Sequence, residues 1–216
     1  AGLDGIQAET SLLVSGGSLT VASGGSSSGG ESVKGLKAGV NVTVEGGTIE
    51  VEAVDDAIHS NDSIVINGGE ILLASGDDGV HADSLVEFNG GDLNITSSYE
   101  GIESQVIVIN DGTIYLVASD DGINVSDGSG GLGMQASPGF NSAGTSGDLY
   151  LEINGGHIVI AAGGDGIDVN GSGSMNDGVV ILHGSAAQGT GSLDVDGMLE
   201  INGGFLVGAG GASMAQ

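Results

Sequence analysis

The chain is expected to be all-β, a parallel β-helix (solenoid) of about eight coils, each of roughly 22 residues and three short strands. Three observations predict this fold. The first is a repeat. Asp55-Asp56-Ala57-Ile58-His59 returns as Asp77-Asp78-Gly79-Val80-His81, as Tyr99-Glu100-Gly101-Ile102-Glu103, and as Asp120-Asp121-Gly122-Ile123-Asn124. The second acid stands at 56, 78, 100 and 121, in steps of 22, 22 and 21 residues. The second observation is alternation with period two between the motifs: Val80/Ala82, Val86/Phe88 and Leu93/Ile95 flank polar residues, as strands with one buried face do. The third is the spacing of turn residues. Gly79 and the pair Gly90-Gly91 separate the runs where the backbone must bend.

Taken in order, the first copy runs from Asp4 to Val21, with Ile6, Ala8, Leu12, Val14, Leu19 and Val21 inward. A Ser/Gly-rich insertion near 22–32 follows. The second copy places Leu36, Ala38, Val42, Val44, Ile49 and Val51 inward, and Lys34 stands where Asp56 stands one coil later. The third to fifth copies are the regular ones. The sixth starts at Asp120, is interrupted over 127–147, and resumes at Leu149, Leu151 and Ile153. The seventh is Gly164-Asp165-Gly166-Ile167-Asp168, with Val180 and Leu182. The eighth is Leu193-Asp194-Val195 after a third insertion near 184–190. Residues 1–216 thus read as one domain. The chain opens inside a repeat at Asp4-Gly5-Ile6, with no leader visible, so it is expected to be a fragment of a longer chain.

Composition narrows the function classes. The 216 residues include 45 glycines, but not at every third position, so collagen is excluded. Without cysteine there is neither a disulfide nor a thiolate metal site. No stretch suits a bilayer span. Twenty-nine acids face only Lys34 and Lys37, for a net charge of −27, which excludes nucleic acid as a partner by repulsion. Acidity of this kind also serves solubility or salt adaptation.

Two polar columns emerge from the repeat. Asn67, Asn89, Asn110, Asn154, Asn176 and Asn202 should stack as a structural amide ladder. The acids Asp56, Asp78, Glu100, Asp121 and Asp165 should also stack, with Asp55, Asp77 and Asp120 beside them. Next along the strand come His59, His81, Glu103, Asn124 and Asp168, expected to point outward, and beyond them Asp83 and its counterparts. Carboxylates about 4.8 Å apart repel by roughly 3–4 kcal/mol per pair at an effective dielectric near 20. Raised carboxylate pKa values or cations can relieve this. An oxygen-only donor set favours calcium over softer ions. The expected metal ligands are Asp55, Asp56, Asp77, Asp78, Asp83, Glu100, Glu103, Asp120, Asp121, Asp165 and Asp168. A solvated acid face with no specific site is the competing reading. His59, His81, Tyr99 and Asn124 are expected to meet carbohydrate at the margin of such a face.

The ordered motifs also carry a resemblance over nearly the whole chain. Asp77-Asp78-Gly79-Val80-His81, Ser98-Tyr99-Glu100-Gly101-Ile102-Glu103, Ala118-Ser119-Asp120-Asp121-Gly122-Ile123-Asn124 and Gly163-Gly164-Asp165-Gly166-Ile167-Asp168-Val169-Asn170 follow one another. The closing Ser213-Met214-Ala215-Gln216 completes the set. Together they resemble a family of secreted bacterial carbohydrate-binding β-helix proteins that bind cellulose and acidic sugars. The resemblance implies a right-handed helix like that of pectate lyases, bound calcium, a secreted or cell-surface location, and binding without catalysis. The chain departs from the family in its scarcity of lysine and in its shortened ends.

The function expected is therefore calcium-dependent binding of an extracellular polysaccharide, acidic (a polyuronate) or cellulose. Catalysis is not expected. A uronate lyase needs a strong base, for which Lys37 is the one credible residue, and acids repeated down a rod do not converge as a hydrolase pair does. The aromatics do not line up as a cellulose platform: Phe88 reads as core, Tyr115 and Tyr150 lie on different strands, and Phe140 shares the 127–147 insertion with Met134 and Pro138. That insertion leaves the rod beside the Asp120-Asp121 motif and could cover that end of the acid face. One flank, Val65, Leu72, Val108, Tyr115, Val159, Ile181 and Val207, is apolar and should point outward. It supports an alternative: a structural cell-surface subunit, self-associating laterally or end to end and stitched by calcium.

Overall fold

The computed structural model describes residues 4–24, 33–128, 149–185 and 190–211. Every strand pair among them is parallel, and no helix occurs there. Most of the three insertions, with Met134, Pro138, Phe140 and the closing Ser213 to Gln216, lies outside the described residues.

Two sheets carry the chain. In the larger, the strands Ile6–Ala8, Leu36–Ala38, Ile58–Ser60, Val80–Phe88, Ile102–Ile109, Ile123–Val125, Ile167–Val169 and Leu193–Val195 follow one another in sequence order. Their first residues stack in register from Ile6 to Leu193, each an aliphatic side chain turned to the interior. A second row, from Ser11–Val14 to Leu199–Ile201, joins the same sheet, because Val80–Phe88 and Ile102–Ile109 run through both rows. The smaller sheet stacks eight strands from Ser18–Ser23 to Phe205–Ala209. Such one-coil-on-the-next parallel pairing is what a parallel β-helix requires.

The core is the sum of the inward columns. Ile49, Ile71, Leu93, Ile114 and Ile158 line the smaller sheet; Val42, Ile64, Val86, Ile107 and Leu151 line the second row. Phe88 is core, as its alternation predicts. The amide ladder also forms: each Asn Nδ2 donates to the Oδ1 of the Asn one coil before, at 2.6–2.9 Å, from Asn202 back to Asn67. Its turns rest on glycine with positive φ, Gly69 at 112° and Gly91 at 96°.

The apolar flank divides. Leu72, Tyr115, Val159, Ile181 and Val207 share one column of the smaller sheet, interrupted by Asn94. Val65 and Val108 lie on the larger sheet, with Glu87 between them. Simple outward alternation predicts exposure without saying which of the faces a strand belongs to.

Candidate cation and ligand groove

The acid motif occupies the turn that enters the first row of strands. Backbone bonds fix it coil by coil: Gly35 N donates to Asp56 O, Ala57 N to Asp78 O, Gly79 N to Glu100 O, Gly101 N to Asp121 O and Gly122 N to Asp165 O, at 2.9–3.0 Å. Lys34, Asp56, Asp78, Glu100, Asp121 and Asp165 therefore form one column. Glycine follows the acid because the coils close tightly here: a Cβ at Gly101 would run into the Gly122 carbonyl and the Leu116 side chain. Beside this column, Lys37, His59, His81, Glu103, Asn124, Asp168 and Asp194 pair in register. Between the columns lies a groove of about 590 Å³ that extends from Lys34 to Asn170.

At the Lys34 end the charges are met by side chains. Asp56 is 1% exposed. Lys34 Nζ bonds its Oδ2 and reaches Asp55 Oδ1 at 3.4 Å, while His59 Nδ1 lies 2.8 Å from the same Oδ2. Burial pushes the Asp56 carboxyl up, but the His59 hydrogen bond and the Lys34 ammonium outweigh it and hold it well below the usual carboxylate range. His81 Nδ1 faces three carboxylates: Asp78 Oδ2 at 2.9 Å, Glu103 Oε2 at 3.5 Å and Asp56 Oδ2 at 3.8 Å. Burial lowers its pKa, yet the Asp78 bond and the surrounding acids lift it to about 9. Lys37 reaches Asp4 Oδ2 at 3.8 Å.

Further along, no lysine or histidine side chain pairs with Glu100, Asp121 or Asp168 among the described residues. Burial pushes Glu100 up to about 8, opposed by a 2.8 Å bond from Asn124 Nδ2 and reinforced by Glu103 and Asp78. Burial likewise lifts Asp121 to about 6, with Asp120 and Asp165 adding to it, and Asp168 to about 6, with Asp121 and Asp165 adding. Tyr99, exposed at the rim, is pushed up to about 12 by its bond to Asp120.

The groove thus brings together Asp56, Asp77, Asp78, Glu100, Glu103, Asp120, Asp121 and Asp168, with His81, Tyr99 and Asn124. It does not bring in every expected residue. Asp83 lies on a smaller neighbouring cleft with His81, Ser104 and Gln105. Asp55 accepts from Val33 N at 3.1 Å, and Asp165 from Gly191 N. His59 is buried, with Nδ1 on Asp56 and Nε2 3.0 Å from Asn61, so both ring nitrogens are engaged inside the protein. Of the row expected to point outward, His59 and Asn124, the latter 8% exposed, are covered by their neighbours rather than open to solvent.

One role of the acids was not read from sequence. Asp4 Oδ1 accepts from Lys34 N at 2.9 Å, Asp56 Oδ1 from Asp78 N at 3.2 Å, and Asp121 Oδ1 from Asp165 N at 2.6 Å. These carboxylates clamp the backbone of the next coil. The recurrence of an acid just before the small residues Gly5, Ala57 and Gly122 is the signal that could have suggested it. Asp78 and Glu100 are bonded instead to His81 and Asn124.

The Glu100–Asp168 stretch presents oxygen donors of the kind a hard cation takes. Its donors are carboxylate and amide oxygens, and the buried Asn124 Oδ1 has no hydrogen-bond partner. An unmet acceptor among carboxylates is a place for a cation, and calcium takes such oxygen ligands.

A family model described as "Carbohydrate-binding domain-containing protein" matches residues 1–79, the part that holds Lys34, Asp56 and His59. This match supports carbohydrate binding. No curated protein and no solved structure matches the chain.

Proposed function

We propose that the chain is an extracellular, calcium-dependent polysaccharide-binding protein, a single right-handed β-helix of about eight coils that takes an acidic glycan along its groove without chemical turnover. The observation that carries this reading is the open groove in which carboxylates from consecutive coils line one wall. A polymer meets the same chemistry at each coil. Glu100, Asp121, Asn124 and Asp168 would hold calcium, which would lower the repulsion between a chain of net charge −27 and a polyuronate. Asp77, Asp78, Glu103 and Asp120 would add carboxylates along the same wall, and Tyr99 would offer a rim contact to the sugar ring.

Affinity electrophoresis through gels containing polygalacturonate tests it. Retardation in calcium that disappears in EGTA is the expected result. Equal mobility in both overturns the calcium-bridged reading. A parallel sedimentation with microcrystalline cellulose should leave the protein in solution, since no aromatic platform lines the groove among the described residues.

A second reading rests on a different surface. Tyr115, Val117, Val207 and Phe205 are each more than two-fifths exposed on the smaller sheet. Lateral packing of rods through that sheet would cover them, and sedimentation velocity would register it as assemblies whose size is independent of sugar.

A further inference from the structure

Within the groove, one position differs chemically from the rest. His81 Nδ1 has one proton or one lone pair to offer, yet carboxylate oxygens of Asp78, Glu103 and Asp56 lie 2.9, 3.5 and 3.8 Å from it. Asp56 is already satisfied by Lys34, His59 and the Asp78 amide. Asp78 and Glu103 have no cation of their own: among the described residues the ion pairs of each run to His81 alone. A single N–H donates one good bond, here to Asp78, and leaves Glu103 Oε2 beyond hydrogen-bond geometry.

We propose that Asp78, His81 and Glu103 form a separate site for a borderline divalent transition ion, zinc in the first instance, held in the place of the Nδ1 proton. The three donor atoms lie within 4.8 Å of one another. An ion with bonds of about 2.0–2.1 Å sets neighbouring donors about 2.9–3.5 Å apart, which are the two nitrogen–oxygen separations found. Imidazole nitrogen selects zinc-like ions over calcium, which prefers oxygen alone. The outer groups suit it as well. Ser126 Oγ donates to Glu103 Oε1, orienting Oε2 toward the ring. The remaining coordination positions open to the groove, where a sugar hydroxyl or carboxylate would complete them. The site stands whether or not the oxygen-only stretch takes calcium.

The test uses the full chain, stripped with EDTA and then titrated with Zn²⁺ in millimolar CaCl₂. One equivalent of zinc should bind with calcium in excess, and the ¹⁵N resonance of His81 Nδ1 should move to the position of a metal-bound nitrogen. His81→Gln and Glu103→Gln should each weaken zinc at least tenfold, with folding checked by the thermal transition. His183→Gln, on the other sheet, should leave the affinity unchanged. Zinc fully displaced by calcium, zinc retained in His81→Gln, or an Nδ1 resonance that stays at the protonated position would each overturn the site. Polygalacturonate binding that still requires added calcium when the zinc site is already filled would separate this site from the calcium reading.

Discussion

The two ends of the acid column follow one sequence rule and meet its electrostatic cost differently. From Lys34 to His81, cations built into the chain sit against Asp55, Asp56 and Asp78, although burial and the neighbouring acids still lift Asp78 to about 7. Beyond that stretch Glu100, Asp121 and Asp168 meet only amides and one another among the described residues, and their proton affinities rise accordingly. One end is internally neutralised; the other has to hold protons or recruit cations from solution. A repeat motif therefore does not imply a repeated function, because a single lysine in one coil changes what the neighbouring coil requires.

The largest expected effect breaks the internally neutralised end. Lys34→Met leaves Asp56 buried and short of its closest cation, which should cost about 3–5 kcal/mol. Chemical denaturation would read the loss, and calcium should not restore it. Recovery in calcium would erase the distinction between the two ends.

Removing calcium sharpens the other end. Addition of calcium to a hundredfold excess over its Kd should add about 3 kcal/mol, a rise of roughly 5–10 °C in melting temperature for a chain this long. Asp121→Asn should abolish most of that increment while leaving the EGTA baseline near that of the wild type. Asp78→Ala should lower both metal content and melting temperature, since it alters the junction of the two ends. An unchanged metal stoichiometry in Asp78→Ala would mean that the column does not bind ions there.

In chelator, proton linkage should run in one sense at Asp56 and in the opposite sense at Glu100, Asp121 and Asp168. Glu100 rises to about 8 from an ordinary 4.5, and Asp121 and Asp168 to about 6 from 3.8, so the folded chain holds protons that the unfolded chain releases. Their contribution is complete below the ordinary values and is lost as pH climbs toward about 8. Asp56, held below its ordinary 3.8, contributes above that value and loses its contribution as pH falls further. Melting temperature in EGTA should therefore drop between pH 5 and pH 8, and calcium should flatten the drop. A cation-free protein equally stable at both pH values would contradict the assignment of Glu100.

The smallest effect is expected from the amide ladder, which spans both ends. Asn110→Ala should cost about 1 kcal/mol, with or without calcium, measured by urea unfolding.

Much of this was legible in the sequence. The period gave the columns, the alternation gave the core, and Lys34 was already visible at the acid position. What escaped depends on side-chain direction. A 22-residue step places Asp56 above Asp78 but does not say that Asp56 Oδ1 reaches the Asp78 amide, or that His59 engages both ring nitrogens, with Asp56 and Asn61. Val65 and Leu72 read alike as outward, although they occupy different sheets. Period-two alternation separates inside from outside and does not separate one outside from another.

The corner between the first two rows has a consequence of another kind. Ala82 pairs with Ser104 and Leu85 with Val106, so two residues, Asp83 and Ser84, stand opposite Gln105 alone. The whole difference between a 22- and a 21-residue coil is taken up there. Across the much longer 127–147 insertion, Val106 still pairs with Tyr150 and Ile123 with Ile167. Length in this architecture is free at the corners and fixed along the strands. The rod is thus a ruler with detachable margins: segments can be added or exchanged beside the groove, in evolution or by grafting, without altering the spacing between its graduations.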